Sequence, residues 1–212
     1  MRSIALIDYG SGNLRSAEKA LVKASAGLDC AIVTTADPEV VARADGIVLP
    51  GVGAFAACMS LLHATRGLDE AMIEAVRRRG APFLGVCVGM QLMASAGLEF
   101  GETPGLDWIE GEVRRIEPGD RRFKVPHMGW NALDGVIDHP VLKDAPDGAH
   151  MYFTHSFAYY PVEDRDVAAW TDHGGRFPAV VARGNLVGVQ FHPEKSQAAG
   201  LKLLANFLEW RP

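Results

Sequence analysis

The sequence predicts an α/β fold: a central, mainly parallel sheet flanked by helices, with antiparallel strand additions in its C-terminal half. Three observations carry that prediction. Over the first hundred residues, short apolar runs alternate with helical patterns, which calls for parallel strands joined by helices on both faces. From about residue 111 helical periodicity gives way to short strands separated by turns, until a closing helix. Finally, 212 residues with 48% apolar and 22% charged content suit one sizeable core. No linker, repeat or low-complexity tract interrupts them, so one domain over residues 1–212 is expected.

The elements follow in order. Residues 4–8 form a strand, and Gly10-Ser11-Gly12-Asn13 turns into a helix over about 14–26. Leu14, Ala17, Leu21 and Ala24 share one face of that helix, and Gly27 supplies its stop. Residues 30–34 read as the second strand. Asp37 is the N-cap and Pro38 the first residue of a short helix over 38–44. Residues 46–49 form a third strand, followed by a loop over 50–55 and helical patterns near 55–64 and 68–79. Residues 81–86 read as a buried strand and 88–96 as the helix after it. Beyond 111, strands are expected at 112–116, 123–125, 151–160, 167–171, 179–182 and 186–191, added at the sheet edge. A closing helix near 197–210 turns Leu201, Leu204 and Phe207 inward.

The chemistry is concentrated in two places. Gly85-Val86-Cys87-Val88-Gly89 sets a cysteine between a strand and a helix. This is the sulfur version of the G-x-S-x-G elbow, whose tight turn lifts a nucleophile above the sheet. A helix N-terminus there favours the thiolate. Taken alone, the motif would more often mark a buried core cysteine. About a hundred residues downstream, a strand runs into His192-Pro193-Glu194. In an extended segment, side chains two apart share a side, so Glu194 can orient the His192 imidazole. Pro193 holds His192 away from helix. Alone, this H-x-E would be a solvated strand end; beside a nucleophile elbow it completes a Cys87–His192–Glu194 triad.

This pairing resembles the class I, or triad, glutamine amidotransferases, which have a flavodoxin-like fold. Further segments narrow the resemblance to the glutaminase subunits of imidazole glycerol phosphate synthases. They are D-Y-G-S-G-N-L at 8–14, P-G-V-G-A-F at 50–55, P-H-M-G-W-N at 126–131, Y-F-T-H-S at 152–156 and G-V-Q-F-H-P-E-K-S at 188–196. These run through the whole chain in the expected order. Val88 departs from the leucine more common in the family, but only its backbone N–H is needed.

The resemblance implies hydrolysis of L-glutamine through a γ-glutamyl thioester on Cys87. Elbow geometry makes the Val88 N–H one oxyanion donor, and the loop Gly51-Val52-Gly53 is expected to supply the second, its glycines letting the backbone reorient. Gly53 and Gln91 are implied to hold the glutamine. The ammonia would pass to a separate (β/α)8 barrel cyclase subunit, in a heterodimer that makes imidazole glycerol phosphate and an aminoimidazole carboxamide ribotide for histidine biosynthesis. Asn13, Trp130, Asn131, Tyr152 and Lys195 fall in motifs implied to face that barrel.

Other classes are disfavoured by composition. A net charge of −5 gives no reason to expect nucleic acid or an anionic membrane as partner. No apolar run approaches a spanning helix, and no signal peptide is evident, so a cytoplasmic enzyme is expected. Three cysteines without C-x-x-C or a ligand-spaced histidine cluster point away from disulfides and metal, and no cofactor is implied. Gly10-Ser11-Gly12-Asn13 is too short for a phosphate loop. His127 and His155 stand in family motifs but lack the features that mark His192. Arg77-Arg78-Arg79 is the basic end of a helix. Three rivals stay open: another triad glutaminase, against which P-G-V-G-x-F and P-H-M-G-W-N speak; a stand-alone cysteine hydrolase; and a catalytically dead binding subunit.

Overall fold

The computed structural model describes residues 1–145 and 147–212. A seven-stranded sheet forms its centre. In chain order its strands are β1 (Arg2–Ile7), β2 (Cys30–Thr35), β3 (Gly46–Gly51), β4 (Phe83–Cys87), β11 (Val167–Asp172), β12 (Arg176–Arg183) and β13 (Leu186–Val189). Their spatial order is β11-β12-β13-β4-β3-β1-β2. From β13 to β2 the neighbours are parallel, while β11, β12 and β13 pair antiparallel at one edge. Gly46-Ile47-Val48-Leu49-Pro50-Gly51 and Phe83-Leu84-Gly85-Val86-Cys87 are buried at every residue. That is the continuous apolar run demanded of a strand covered on both faces.

The helices are α1 (Leu14–Ala24), α2 (Pro38–Arg43), α3 (Phe55–Ala64), α4 (Leu68–Met72), α5 (Val88–Gln91) and α6 (Gln197–Glu209). Asp37 caps α2 by accepting from Glu39 N, and Pro38 takes the first helical position. Gly27 adopts φ +84° just beyond α1, a conformation that glycine enters without strain. After α4 the chain continues as a π-helical turn over Ile73–Arg78. There Arg78 pairs with Glu70 and Glu74, as a solvated helix end does.

Several boundaries differ from the sequence expectation. The helix placed over 88–96 stops after one turn, at Gln91. The carbonyls that would extend it are occupied: Leu106 N donates to Leu92 O, Trp108 N to Met93 O and Asp107 N to Ala94 O. Residues 96–97 instead form a short strand, β5, beside β6 (Thr103–Pro104). The strand expected at 151–160 breaks at Ser156 into β9 (His150–His155) and β10 (Phe157–Pro161). β9 pairs with β8 (His127–Ala132), and β10 with β7 (Gly111–Arg115). No strand forms at 123–125, where Phe123 N closes a turn onto Asp120 O. The antiparallel additions therefore do not all join the central sheet's edge: β10-β7-β5-β6 is a separate sheet and β8-β9 a two-stranded one.

α6 seats on the turn that carries the H-P-E motif. A Cβ built on Gly200 would lie 1.9 Å from Pro193 O, so only glycine fits there. Gly200→Ala is expected to destabilise the protein by about 1–3 kcal/mol, lowering the melting temperature by roughly 2–4 °C for each kcal/mol. An unchanged melting temperature would contradict this close approach.

Candidate active site

The site lies at the carboxyl ends of β3, β4 and β13, where a parallel sheet places its ligands. Cys87 ends β4 with φ 54° and ψ −110°, a strained conformation for a residue with a side chain. Both flanking glycines are dictated by contact. A Cβ on Gly85 would sit 2.5 Å from Gly89 O, and one on Gly89 would sit 1.9 Å from Leu49 O. The turn thus has the elbow's geometry. Because α5 is a single turn, it has no long macrodipole to offer the sulfur.

His192 is 2% exposed and extended, at φ −101° and ψ 97°. Its N–H donates to Tyr152 O, and its carbonyl accepts from Ser196 Oγ, so β9 and the start of α6 hold it on both sides. Nδ1 lies 2.8 Å from Glu194 Oε1, and both side chains are buried. Glu194 sits in a 3₁₀ turn over Pro193–Lys195 rather than in extended chain. The expected contact is present, but the turn brings it about. Nε2 is buried and has no hydrogen-bond partner among the described residues. Burial lowers the His192 pKa, yet contact with Cys87 and Glu194 outweighs it and raises the value to about 9.

Cys87 and His192 line one cleft of about 340 Å³, together with Val52, Gly53, Val88, Gln91, Glu99 and His155. Gly51 stands opposite Cys87 in the β3–β4 ladder. A Cβ there would come within 2.8 Å of Gly89 N and 2.9 Å of Val88 Cβ, so the backbones meet directly. The peptide groups of Val52 are held by Ser11 and Cys58. Val52 N lies 3.4 Å from Ser11 Oγ, and Val52 O accepts from Ser11 Oγ at 2.9 Å and from Cys58 Sγ at 3.4 Å. Tyr9 anchors the same loop by donating to Pro50 O. Gly53 adopts φ +102° with open space around it. For Val52 N–H to serve an oxyanion, this loop must reorient.

The residues implied to meet a partner are placed as follows. Trp130 and Tyr152 face each other across β8 and β9, their rings 5.9 Å apart and edge to face. Lys195 Nζ lies 5.8 Å from the Tyr152 ring. Asn13 is exposed at the start of α1. The Asn131 side chain instead turns inward, donating to His127 Nε2 at 3.2 Å and Asp172 O at 2.7 Å.

Sequence reading gives no role to Ser11 or Glu99, while His127 and His155 are expected to satisfy buried hydrogen bonds or interface contacts. Glu99 follows no pattern; it caps α3 from a distance, accepting from Phe55 N where Ala54 offers no side-chain cap. His155 Nε2 accepts from His127 Nδ1 at 3.0 Å and donates through Nδ1 to Phe157 O at 2.9 Å. This one-way chain keeps both rings neutral, since protonating either would set N–H against N–H. Burial first, then neighbouring histidines, lowers His127 to about 3; burial likewise leads the fall of His155 to about 4.

A pH dependence follows with a definite sign. Between the ordinary histidine value and these lowered ones, the unfolded chain binds protons that the native state does not, so stability falls as pH falls. His192, raised, works in the opposite direction: its stabilisation is full below the unfolded value and fades as pH rises through about 9. From pH 7 to 5.5, His127 and His155 together are expected to cost roughly 2.5 kcal/mol and His192 to return somewhat under 1 kcal/mol. Urea unfolding at the two pH values should therefore show a net loss of about 2 kcal/mol; a gain on acidification would contradict the neutral pair.

The chain is similar to known proteins over nearly its whole length. The profile of the family "Glutamine amidotransferase class-I" matches residues 5–210. The imidazole glycerol phosphate synthase subunit HisH of Caulobacter vibrioides is 61% identical over 214 residues, covering 100% of both chains. The subunit of the same name from Rhodospirillum rubrum is 53% identical, covering 99% of each. A solved structure of a glutamine amidotransferase superposes with a TM-score of 0.70 at 20% identity, over 97% of each chain, a likeness of fold.

Proposed function

Because the chain belongs to the class-I glutamine amidotransferases, and within them to the HisH subunits of imidazole glycerol phosphate synthase, we propose that Cys87, His192 and Glu194 are its working triad. As a glutaminase of histidine biosynthesis it acts beside a partner subunit. One observation carries the triad: a buried imidazole with Nδ1 held by Glu194 and Nε2 uncommitted, in the same cleft as a cysteine on a strained elbow.

Cys87 sulfur attacks the side-chain carboxamide carbon of glutamine. The tetrahedral oxyanion is met by the Val88 N–H and, after reorientation, by an N–H of Gly51, Val52 or Gly53. At neutral pH the raised value of His192 leaves a proton on its ring, and that proton goes to the departing nitrogen. Ammonia leaves and a γ-glutamyl thioester remains. His192, now neutral, takes a proton from water; the hydroxide oxygen bonds to the acyl carbon, the C–S bond breaks with its electron pair on sulfur, and glutamate is released. Gly53 and Gln91 hold the substrate.

We further propose that residues 1–212 act as one domain in the cytoplasm, and that the partner is a (β/α)8 barrel cyclase. Trp130, Tyr152, Lys195, Asn13 and the β8 strand around Asn131 face it, forming a heterodimer through which ammonia passes. Among the described residues, no helix is long and apolar enough to cross a membrane.

The loop over residues 50–53 would be the switch that the partner throws. Its Val52 N–H is engaged with Ser11, so that one of the candidate donors is withheld at rest. Gly51→Pro removes an N–H and sets a ring carbon against Gly89 N and Val88 Cβ, so its activity is read alongside a melting curve that shows the fold intact. The variant is expected to reduce partner-stimulated glutamate release by about a hundredfold or more, the usual effect of losing an oxyanion donor. Full stimulated activity in that variant would sink the switch. The triad itself is tested by a glutamine-analogue electrophile, which should label Cys87 and fail to label Cys87→Ser.

A further inference from the structure

One carbonyl fixes the direction of a buried hydrogen-bond chain that ends on the nucleophile. Phe157 O can only accept, and it accepts from Gln91 Nε2 at 2.9 Å. That settles the Gln91 amide, because a flipped amide would set oxygen against oxygen. The second Gln91 N–H donates to Gln190 Oε1 at 3.0 Å. Gln190 is thereby settled in turn, and its Nε2 faces Cys87 Sγ at 3.7 Å. Gln190 is 0% exposed, and its backbone N–H is fastened to Ala179 O, so the amide has no route to solvent. Burying a primary amide is costly unless its groups are paired. Here it is paired on one side with Gln91 and on the other with the reacting sulfur.

We infer that Gln190 is a further catalytic residue of this site, donating an amide N–H to the Cys87 sulfur while its carbonyl orients Gln91 toward glutamine; the inference rests on Cys87 being the nucleophile proposed above. The donor half matters whenever the sulfur carries charge. A hydrogen bond to the charged form favours it, so the thiolate that attacks has a fixed donor besides His192. When the thioester C–S bond breaks, the electron pair returns to sulfur and meets the same N–H.

The acceptor half acts on binding. With both Gln91 N–H groups spent on Phe157 O and Gln190 Oε1, Gln91 Oε1 is left as an acceptor in the cleft. An acceptor there suits the N–H donors of glutamine, and a flipped Gln91 would present donors to them instead.

Two variants separate the halves. Gln190→Met keeps volume and loses both polar atoms; Gln190→Glu keeps an acceptor for Gln91 and loses the amide donor. The first readout is the pH dependence of Cys87 alkylation by iodoacetamide, with Cys87→Ser used to subtract Cys30 and Cys58. Gln190→Met is expected to move the midpoint upward by about half a unit to one unit, a roughly three- to tenfold slower alkylation below the midpoint. The second readout is steady-state glutaminase kinetics in the complex with the cyclase subunit. KM for glutamine should rise more in Gln190→Met than in Gln190→Glu. An unshifted midpoint in a Gln190→Met protein of native melting temperature overturns the donor role. If that variant does not fold, the midpoint of Gln190→Glu is read in its place, and an unshifted value there overturns it equally. Equal KM values in both variants and the wild type overturn the orienting role. Labelling of wild-type Cys87 by the glutamine-analogue electrophile keeps these outcomes separate from the triad. An unlabelled wild type removes the nucleophile and the Gln190 inference together; a labelled wild type with an unshifted variant removes Gln190 alone.

Discussion

Cys87→Ser is expected to lower partner-stimulated glutamate release by at least about 10⁴-fold, with the melting temperature within a few degrees of wild type. The size follows from what is lost. Groups in a catalytic triad act as a unit, and removing the nucleophile forfeits nearly all that the unit supplies, leaving only the residual rate from binding and the oxyanion site. A hydroxyl at position 87 stands on the same strained elbow, so the fold is spared. It is far less acidic than a thiol, and an imidazole suited to a thiol does not activate it. Glutamate release by quenched assay, alongside a melting curve, reads both quantities. Loss of activity with loss of folding would leave the elbow, not the chemistry, as the explanation.

The second large effect belongs to Glu194→Gln. Glu194 is buried, 2.8 Å from Nδ1, and is among the groups that raise His192 to about 9 against the lowering effect of burial. The amide keeps the shape and removes the charge. His192 should then titrate lower, because the imidazolium has lost a stabilising partner. The amide can also turn its N–H toward Nδ1 and so favour the wrong tautomer, leaving Nε2 protonated and unable to act as base. A fall in turnover of about 10²–10⁴-fold is expected, with little change in KM. Following His192 by NMR through pH 6–10 checks the cause: a midpoint that stays near 9 in the variant would show that Glu194 does not control the ring.

Much of the parallel core was legible because its central strands, β3 and β4, are buried at every position and its helices carry their own punctuation. Asp37-Pro38 announces α2, and Gly27 closes α1. The elbow and the H-P-E turn were legible as local motifs, since Gly85 and Gly89 are fixed by close backbone approach. What local pattern could not reveal were decisions made by distant chain. The helix after Cys87 was read too long because residues 106–108 take the carbonyls that would have continued it. The break at Ser156 arises because two different strands compete for residues 150–161, β8 for the first half and β7 for the second. Asn131 was expected to face the partner and His127 to satisfy a buried hydrogen bond or an interface contact, but no local pattern showed that both side chains join one buried chain to His155, 28 residues away from His127. Gln190 lies in a strand within a family segment that assigns it no role of its own; its contact with Cys87, 103 residues away, is what marks it.

The most direct test of a partner-gated triad is glutamate release from L-glutamine by the purified subunit, with and without the cyclase subunit and its nucleotide ligand, using Cys87→Ser as control. Weak release alone, strong release with the liganded partner, and none in the control are the predicted results. Equally strong release without the partner, or partner-stimulated release that survives Cys87→Ser, would contradict it.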